Sequence, residues 1–531
     1  MGGALGRSSL SEPERAGGKS GGSPDAEMAT LARGGRLNVF GFVLRLAGMA
    51  PFLFIGGRIY GPAALGRFAY AVLMVEFAAQ IAALGLRRGL AQLLANGKKE
   101  QASIVADAML VAAIASATAT VILVLFPKAM YPTTDVHGLD RLLAITVLAI
   151  SWTDIALAAL AYHNDVASTV RARSVVQPWT ITIVAFAWSY ISIEDGLIVA
   201  YVFSMVAAMV TALIPLLKCY GLPRGWRPDL ATSWMTAWRN VPVAAADAVE
   251  WASRRIDLAV LGAFLPAAYV GIYYAAQQVA TLPAKLKTSF EPVLGPAIVR
   301  RIAVDDRGAV ASQVRQVTYW IIAAQLGIAL ALGIPGRAVM GLVGSGFTGG
   351  TATLGFLLAA EVIAASAFVS EAALIYVARK RNMMLSLLML ALEAGLAAAL
   401  ILAMKNEGLP LAFQATGPAI GLCVALVFAW VSKAHLLARE LHAPVSGWRW
   451  DLAWATGAGV AVGAAARLLL PPAWQLVGVP LILVAFGAVL WLKGFGPEDR
   501  ELFRMRKTEI SDLRDAEERE RAREALADDV V

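Results

Sequence analysis

Five charged residues lie close together in an otherwise apolar part of the chain. Within the stretch DAVEWASRRIDLAV they are Asp247, Glu250, Arg254, Arg255 and Asp257. All but Arg255 are three or four residues apart, so a helix would line them along one side, with Arg255 about 100° around. Guanidinium groups form forked, charge-assisted hydrogen bonds with anions, and intramembrane carboxylates can carry a proton or a cation. These residue types indicate an anion-binding site beside an acidic one.

A lipid-facing helix cannot hold this set of charges. A charged side chain at the centre of a membrane helix costs about 2.5–3.5 kcal/mol, and a large apolar residue returns only about 0.3–0.6 kcal/mol. Five charges cost on the order of 10–15 kcal/mol, which the apolar residues of 241–265 do not offset. We therefore expect a water-filled stripe. The alternatives are mutual neutralisation at a packed interface, or an interfacial helix over 236–255 with the span beginning at Ile256.

The composition places these residues in a membrane protein. Of 531 residues, 58% are hydrophobic and only 16% are charged, which is too apolar for a soluble chain of this length. The apolar blocks run for about 18–25 residues, the length of a membrane-spanning helix, and lack the alternation of β-barrel strands. We predict an all-α polytopic membrane protein with about 14 transmembrane helices. The predicted spans are 38–60, 63–86, 104–127, 141–162, 174–193, 197–217, 241–265, 268–291, 317–340, 351–377, 383–404, 411–431, 453–470 and 475–493.

Basic residues occur in every second loop between the predicted spans. Loops after even-numbered spans contain Lys and Arg, whereas the turns after odd-numbered spans contain almost none. By the positive-inside rule, both termini lie in the cytoplasm. Cytoplasmic loops that face anionic lipid also account for most of the net charge of +8, and no compact basic domain is present to bind nucleic acid. The four histidines have no metal-ligand spacing, so we expect no metal site.

Two segments of the chain repeat each other. Residues 61–71 read GPAALGRFAYA and residues 265–275 read LPAAYVGIYYA, each a Pro-Ala-Ala turn followed by a glycine and an aromatic-rich helix start. Both copies lie on the same predicted side of the membrane, so the halves repeat in parallel and enclose a cavity at their interface. The predicted domains are a disordered cytoplasmic segment (1–35), a six-helix bundle (36–217), a cytoplasmic linker (218–240), a second six-helix bundle (241–431), two additional spans (432–493) and a charged cytoplasmic helical tail (494–531).

The same segments resemble a known family. GRIYGPAALGRFAYAVLMVEFAAQIAALGLRRGLAQLLA and DLAVLGAFLPAAYVGIYYAAQQVATLPAKLKTSFEPVLGPAI are similar to the Wzx-type polysaccharide flippases of the multidrug/oligosaccharidyl-lipid/polysaccharide (MOP) exporter superfamily. The resemblance implies an alternating-access transporter of the bacterial cytoplasmic (inner) membrane. It would move an undecaprenyl-pyrophosphate-linked glycan from the inner to the outer leaflet, for synthesis of O-antigen, capsule or exopolysaccharide. The implied partners are the lipid-linked oligosaccharide, membrane lipids and polysaccharide polymerase machinery, with no cofactor and no enzymatic activity.

The resemblance gives the charged residues specific roles. The first span contains Arg45 and Arg58 but no acidic residue, so these cations lack a partner there. We expect Arg45, Arg254 and Arg255 to bind the pyrophosphate, because guanidinium offers a forked geometry that ammonium does not. Arg58 is expected to extend to the membrane surface. The acids expected to couple transport to a proton or sodium ion are Asp247, Glu250 and Asp257, and further ionisable residues in or near spans are Glu76, Asp107, Asp154, Glu361 and Glu371.

Three alternatives remain open at this point. One is a multidrug or peptidoglycan-precursor exporter of the same superfamily, although a cavity for cationic drugs would be acidic only. Another is a membrane enzyme that polymerises or ligates surface glycans, which would need a large outward loop. The longest such loop is roughly 128–140. The last is a scaffold protein without transport activity.

Overall fold

A computed structural model describes residues 41–494, except for residues 42, 97–99, 164, 224–225, 229 and 304–305. The regular secondary structure of these residues is helical throughout, which confirms the all-α class. Ten helices in the described part of the chain are long and apolar enough to cross a membrane. Each predicted span falls on one helix or on consecutive helical segments, and the count of fourteen stays a prediction. The predicted segment 1–35 and the predicted tail beyond Gly494 lie outside the described residues.

The first half of the chain contains eight helices. The bounds are α1 (43–60), α2 (Gly61–Ala82), α3 (Leu86–Asn96), α4 (Gln101–Leu125), α5 (Thr146–Tyr162), α6 (Val166–Thr169), α7 (Gln177–Trp188) and α8 (Gly196–Tyr220). Pro62 lies in the first turn of α2, where its missing N–H removes no helical hydrogen bond. Two π-helical turns, Gly56–Tyr60 at the end of α1 and Val170–Val176 before α7, change the direction in which the following side chains point.

The second half contains eleven helices. The bounds are α9 (Leu230–Ala252), α10 (Ile256–Phe264), α11 (Ala267–Ala303), α12 (Arg307–Gly333), α13 (Gly336–Val343), α14 (Thr351–Val377), α15 (Arg379–Asn406), α16 (Leu411–Gln414), α17 (Gly417–Leu441), α18 (Trp450–Leu469) and α19 (Gly478–Val489).

The predicted seventh span is not one continuous helix. The chain leaves the helix after Ala252, turns through three residues and begins α10 at Ile256. The hydroxyl of Ser253 donates a hydrogen bond to the carbonyl of Val249 (2.8 Å), a local bond that competes with regular helix geometry. The turn places Arg255 at the N-terminal end of a new helix. The break falls where one of the sequence-based alternatives placed it, with a helix that ends before Ile256 and a new segment that begins there.

One polar contact at each end of the helical bundle identifies that end. At one end, Nη1 of Arg381 lies 2.6 Å from Oε1 of Glu440, which joins the start of α15 to the end of α17. At the other end, the N–H of Leu139 donates a hydrogen bond to Oδ1 of Asp195 (3.1 Å), which joins the turns before α5 and α8. We call the first end, where α2, α8 and α17 finish, the basic end, and the second the far end. The basic end is the one predicted to be cytoplasmic.

Buried apolar side chains form three cores. The largest contains residues of both halves, such as Phe68 and Tyr201 with Leu261 and Tyr273. A second core contains only residues of the second half, and a third contains only residues of the first half. Both of these smaller cores lie toward the basic end. The halves therefore share one core at the far end and have separate cores at the basic end.

The repeated segments contact each other at the far end. A Cβ atom at Gly66 would overlap the carbonyl group of Ala267, and a Cβ atom at Gly271 would overlap the carbonyl group of Pro62. Glycine is required at both positions because the backbones of α2 and α11 approach so closely. The contact is reciprocal, since each glycine meets the turn of the other copy. This arrangement agrees with the predicted parallel repeat.

Candidate functional site

Arg255 joins the two halves in the middle of the protein. Its Nη2 atom lies 3.3 Å from Oε2 of Glu76 on α2. The hydroxyl of Tyr201 on α8 donates a hydrogen bond to the other oxygen of Glu76 (3.3 Å). The guanidinium carbon of Arg255 also lies 5.6 Å from the centre of the Trp251 ring, within cation–π range. These partners fix the position of Arg255 between a carboxylate and an indole.

Arg45 lies on the side of its helix that packs against the π-helical turn before α7, where Gly41 contacts Val170 and Gly48 contacts Pro178. Its side chain is exposed, yet the charged groups that act on it, Arg173, Glu76 and Arg255, come from three other helical segments. A side chain directed at lipid would not have charged groups of both halves around it. Arg45 makes no ion pair within the described part of the chain. Arg45 and Arg255 are close enough for their charges to affect each other, and their common role as a site stays a prediction.

A second ion pair lies beside Arg45. Arg173 pairs with Asp154 of α5, and its Nη1 atom donates a hydrogen bond to Oε1 of Gln177 (3.2 Å). Arg173 belongs to the π-helical turn before α7, which extends the predicted fifth span toward the basic end. Its side chain is only 22% exposed. The sequence had placed this residue in a loop.

We call Arg45, Glu76, Asp154, Arg173 and Arg255 the central cluster. It contains three guanidinium groups and two carboxylates, so one positive charge is not balanced within it. Guanidinium groups that converge in a partly dehydrated space bind phosphate-like anions through paired hydrogen bonds. The central cluster is therefore suited to an anion with several oxygen acceptors.

Three of the predicted site residues lie outside the central cluster, near the basic end. Nε of Arg88 lies 3.0 Å from Oδ1 of Asp247, and Nη2 of Arg88 lies 2.6 Å from Oε2 of Glu250. Arg254 also pairs with Glu250, at 3.1 Å, and its side chain is 71% exposed. The structure revises the prediction for Arg254, because the break in the helix directs it away from Arg255. Asp247 is neutralised in a buried contact between the halves, whereas Glu250 is 47% exposed and open to solvent.

Asp257 lies in a buried acidic pair. It accepts hydrogen bonds from the hydroxyl of Tyr273 (2.6 Å) and from Nε2 of Gln277 (3.2 Å). Glu393 of α15 is close enough for the two carboxyl groups to affect each other, and each residue is at most 2% exposed. Oε2 of Glu393 has no hydrogen-bond partner among the described residues. Neighbouring carboxyl groups at this depth are stable together only if a proton or a cation neutralises at least one of them.

Other ionisable residues have structural partners. Asp107 accepts a hydrogen bond from Nε1 of Trp226 (2.8 Å), which holds the chain after α8 against α4. Nζ of Lys433 lies 3.0 Å from Oε2 of Glu371 and 2.9 Å from Oγ of Ser386. Lys433 is 2% exposed, so this pair links α14, α15 and α17 inside the second half. The contact with Glu371 and Ser386 neutralises the buried ammonium group of Lys433.

Arg58 contributes to the contact between the halves at the far end. Its Nε atom donates a hydrogen bond to the carbonyl of Leu342 (3.0 Å), at the end of α13. The neighbouring Gly57 packs against Val343, where a Cβ atom would overlap. Extension to the membrane surface was the expected role of Arg58, and the structure adds this contact with the second half.

Sequence reasoning missed three residues of these sites. Arg88 and Arg173 follow or precede predicted spans and counted only as loop charges. Each of these two arginines lies next to a predicted span boundary. Because such boundaries are accurate only to a few residues, both could have been considered part of a span. Glu393 was not considered, although an acidic residue in the middle of an otherwise apolar span is itself a sign of function or of a buried partner.

The described residues form two similar helical halves around a charged site. Residues 42–302 match the family described as "Polysaccharide biosynthesis protein". No curated protein matches the chain in sequence. The similar solved structures named below are described as a flippase and as transporters.

Several solved structures share the fold. "Lipid II flippase MurJ, inward closed conformation" has a TM-score of 0.64 at 11% identity, covering 87% of this chain and 99% of that one. An inward-facing multidrug resistance MATE family transporter of the MOP superfamily has a TM-score of 0.60 at 14% identity, covering 75% and 98%. A MOP superfamily transporter from Pyrococcus furiosus has a TM-score of 0.52 at 12% identity, covering 79% and 97%. These comparisons show that the chain shares the fold of these transporters, and its ten long apolar helices among the described residues are those of a multi-pass membrane protein.

Proposed function

We propose that the protein is a flippase that moves an undecaprenyl-pyrophosphate-linked glycan from the inner to the outer leaflet of the bacterial cytoplasmic membrane. The observation that carries this proposal is the excess positive charge of the central cluster, with Arg45 unpaired among the described residues. The match of residues 42–302 to a polysaccharide biosynthesis family supports a glycan as the cargo. The MurJ structure, described as a lipid II flippase, has the same fold.

Arg45 and Arg255 would bind the pyrophosphate from opposite sides. Arg45 belongs to the first half and Arg255 to the second, so one anion that contacts both would join the halves. The glycan would occupy the aqueous space toward the basic end, where the two halves have separate cores. The prenyl chain would stay in lipid. Opening at the far end would then expose the bound headgroup to the other leaflet, where polymerase machinery would receive it.

The buried acidic pair would couple this cycle to a proton or a sodium ion. Asp257 lies two residues after Arg255, at the start of α10, and the charges of the two side chains affect each other. When a cation neutralises the Asp257–Glu393 pair, Arg255 loses part of the negative field around it and holds an anion more strongly. Release of the cation would have the opposite effect. Ion movement and headgroup release would therefore be linked.

The proposal can be tested by expressing the protein in a bacterial strain that lacks its own flippase. The measurement is the export of the surface glycan. Arg45→Ala and Arg255→Ala should each abolish export at normal membrane levels of the protein. Arg254→Ala is the matched control, because Arg254 lies on the same turn as Arg255 but is exposed and pairs only with Glu250. Normal export by a well-expressed Arg45→Ala, Arg255→Ala variant would contradict the proposal.

A second cargo is the peptidoglycan precursor. The similarity in fold to the lipid II flippase favours it, since that cargo has the same prenyl pyrophosphate group. Growth of a strain depleted of its own lipid II flippase distinguishes the two cargoes. Rescue of growth by this protein supports the precursor, whereas rescue of glycan export alone supports the surface polysaccharide. The positive central cluster argues against cationic drugs.

A further inference from the structure

Arg173 was not assigned a role from the sequence, and the proposed function does not need it. Its turn nevertheless packs against the helix that carries Arg45, because Gly41 contacts Val170 and Ser174 and Gly48 contacts Pro178. Arg45 lies between these two glycines on the same side of its helix and therefore faces the turn of Arg173. Two guanidinium groups held close together in a partly dehydrated space are unfavourable unless an anion lies between them. The structure contains such a pair on one side of the central cluster.

The π-helical turn explains how Arg173 reaches this position. The turn Val170–Val176 carries both Arg171 and Arg173, and a π-helical turn rotates side chains relative to an α-helix. Arg171 is exposed, whereas Arg173 is directed inward to Asp154 and Gln177. π-helical turns occur often at functional sites for this reason. The turn therefore presents one of two nearby arginines to the interior.

We infer that Arg173 is a further anion-binding residue and that Asp154 is the counterion that the bound anion displaces. This inference rests on the proposed function and adds a subsite to it. Arg45 and Arg173 both belong to the first half, so together they would hold the pyrophosphate throughout the movement of the halves. Arg255 of the second half would form its contact with the pyrophosphate in one arrangement of the halves and lose it in the other.

Asp154 competes with the anion in this arrangement. While no anion is bound, its carboxylate neutralises Arg173 inside the protein. A pyrophosphate offers the same guanidinium group several oxygen acceptors, so Arg173 would exchange one acidic partner for another. Removal of the carboxylate should therefore strengthen anion binding, whereas removal of the guanidinium group should weaken it. A purely structural ion pair would give both substitutions the same sign.

Binding of farnesyl pyrophosphate to the purified full-length protein in detergent tests the inference, with farnesyl monophosphate as the comparison ligand. Arg173→Gln should weaken pyrophosphate binding roughly tenfold or more, the usual effect of losing a charge-assisted hydrogen bond. Asp154→Asn should tighten it several-fold. Arg171→Gln is the matched control and should bind as the wild type does. Arg173→Lys keeps the ion pair and the fold, and should recover only part of the affinity.

The outcomes separate this inference from the proposed function. If Arg173→Gln and Arg173→Lys bind the probe as tightly as the wild type while Arg45→Gln binds weakly, Arg173 is not a subsite and the central cluster remains one. If Asp154→Asn weakens binding as much as Arg173→Gln does, the pair is structural. If the wild type does not bind the probe, or if Arg45→Gln and Arg255→Gln have no effect, the proposed function fails as well.

Discussion

Arg88 and Asp247 form an ion pair that connects the two halves of the protein at the basic end. Nε of Arg88 lies 3.0 Å from Oδ1 of Asp247, whose side chain is only 4% exposed. Glu250 provides a second carboxylate for the same guanidinium group. The apolar cores of the halves are separate in this region, and the ion pairs join the halves there together with the close packing of Gly85 and Gly89 against α9.

Arg88→Ala should lower the thermal stability of the protein more than Arg254→Ala does. Loss of Arg88 leaves the buried carboxylate of Asp247 without its cation, at a cost of about 1–2 kcal/mol after allowance for the half-exposed arginine. Loss of Arg254 removes an exposed pair worth about 0.3–0.5 kcal/mol. Thermal unfolding followed by tryptophan fluorescence in one detergent measures both. Equal shifts in the unfolding temperature would mean that the buried carboxylate of Asp247 does not need Arg88 for its stability.

Gly66→Ala should destabilise the far end. The added methyl group would overlap the carbonyl of Ala267, so α2 and α11 must move apart, at a cost of about 1–3 kcal/mol. Gly355 of α14 is the control, because a Cβ atom there meets no other group. Gly355→Ala should be neutral or should stabilise the helix by up to about 1 kcal/mol. The same unfolding measurement compares the two variants. A Gly66→Ala variant as stable as the wild type would show that α2 and α11 are farther apart than in this structure.

Glu393→Gln should reduce transport without reducing stability. The amide keeps the shape of the side chain but cannot bind a proton or sodium ion as the carboxylate does, and one buried acid is removed. We expect glycan export to fall at least tenfold while the unfolding temperature stays the same or rises. An additional measurement is the stabilisation of the wild type by sodium or by lower pH, which the variant should lack. Full export by Glu393→Gln would exclude the acidic pair as the coupling site.

Lysine should replace the arginines of the central cluster poorly. Arg45→Lys and Arg255→Lys keep the positive charge but lose the forked pair of donors that fits two phosphate oxygens. Each replacement should lower glycan export by roughly tenfold, the equivalent of about 1.4 kcal/mol. Membrane levels of the protein provide the control for expression. If a doubly substituted protein exports glycan normally, charge alone is sufficient and forked hydrogen bonding is not required.

Glu371→Ala should destabilise the second half of the protein. The substitution leaves the buried ammonium group of Lys433 with Ser386 as its remaining hydrogen-bond partner, at a cost of about 3 kcal/mol. Replacement of both charged residues by apolar ones, Glu371→Leu with Lys433→Met, should restore most of the stability. Unfolding of the single and double variants tests this. A double variant that is less stable than either single one would point to a role beyond neutralisation.

Hydropathy was sufficient to predict the helical class and the position of every predicted span on helical segments. The paired glycines of the repeat were visible in the sequence as matching motifs, and the structure shows them in contact. The alternative that begins a segment at Ile256 agrees with the break after Ala252, whereas the 3.6-residue periodicity by itself continued through it. The different environments of Arg254 and Arg255 follow from that break.

Partner choice among charged residues was the least predictable feature. Asp247, Glu250 and Asp257 were grouped because they share one face of an ideal helix. In the structure the charges of Asp257 and Glu393, which are distant in sequence, affect each other, and the other two acids pair with Arg88. Such pairings depend on how helices pack against each other, and spacing within one segment contains no information about them.

The shared core at the far end affects the heat capacity of any conformational change in which the two halves separate there. Separation there would bring aromatic and aliphatic side chains, including Phe68 and Tyr273, into contact with the water that enters the opening. Hydration of apolar surface raises the heat capacity. The enthalpy of the conformational change would then vary with temperature, so the balance of the two arrangements should follow a curved rather than a linear van't Hoff plot.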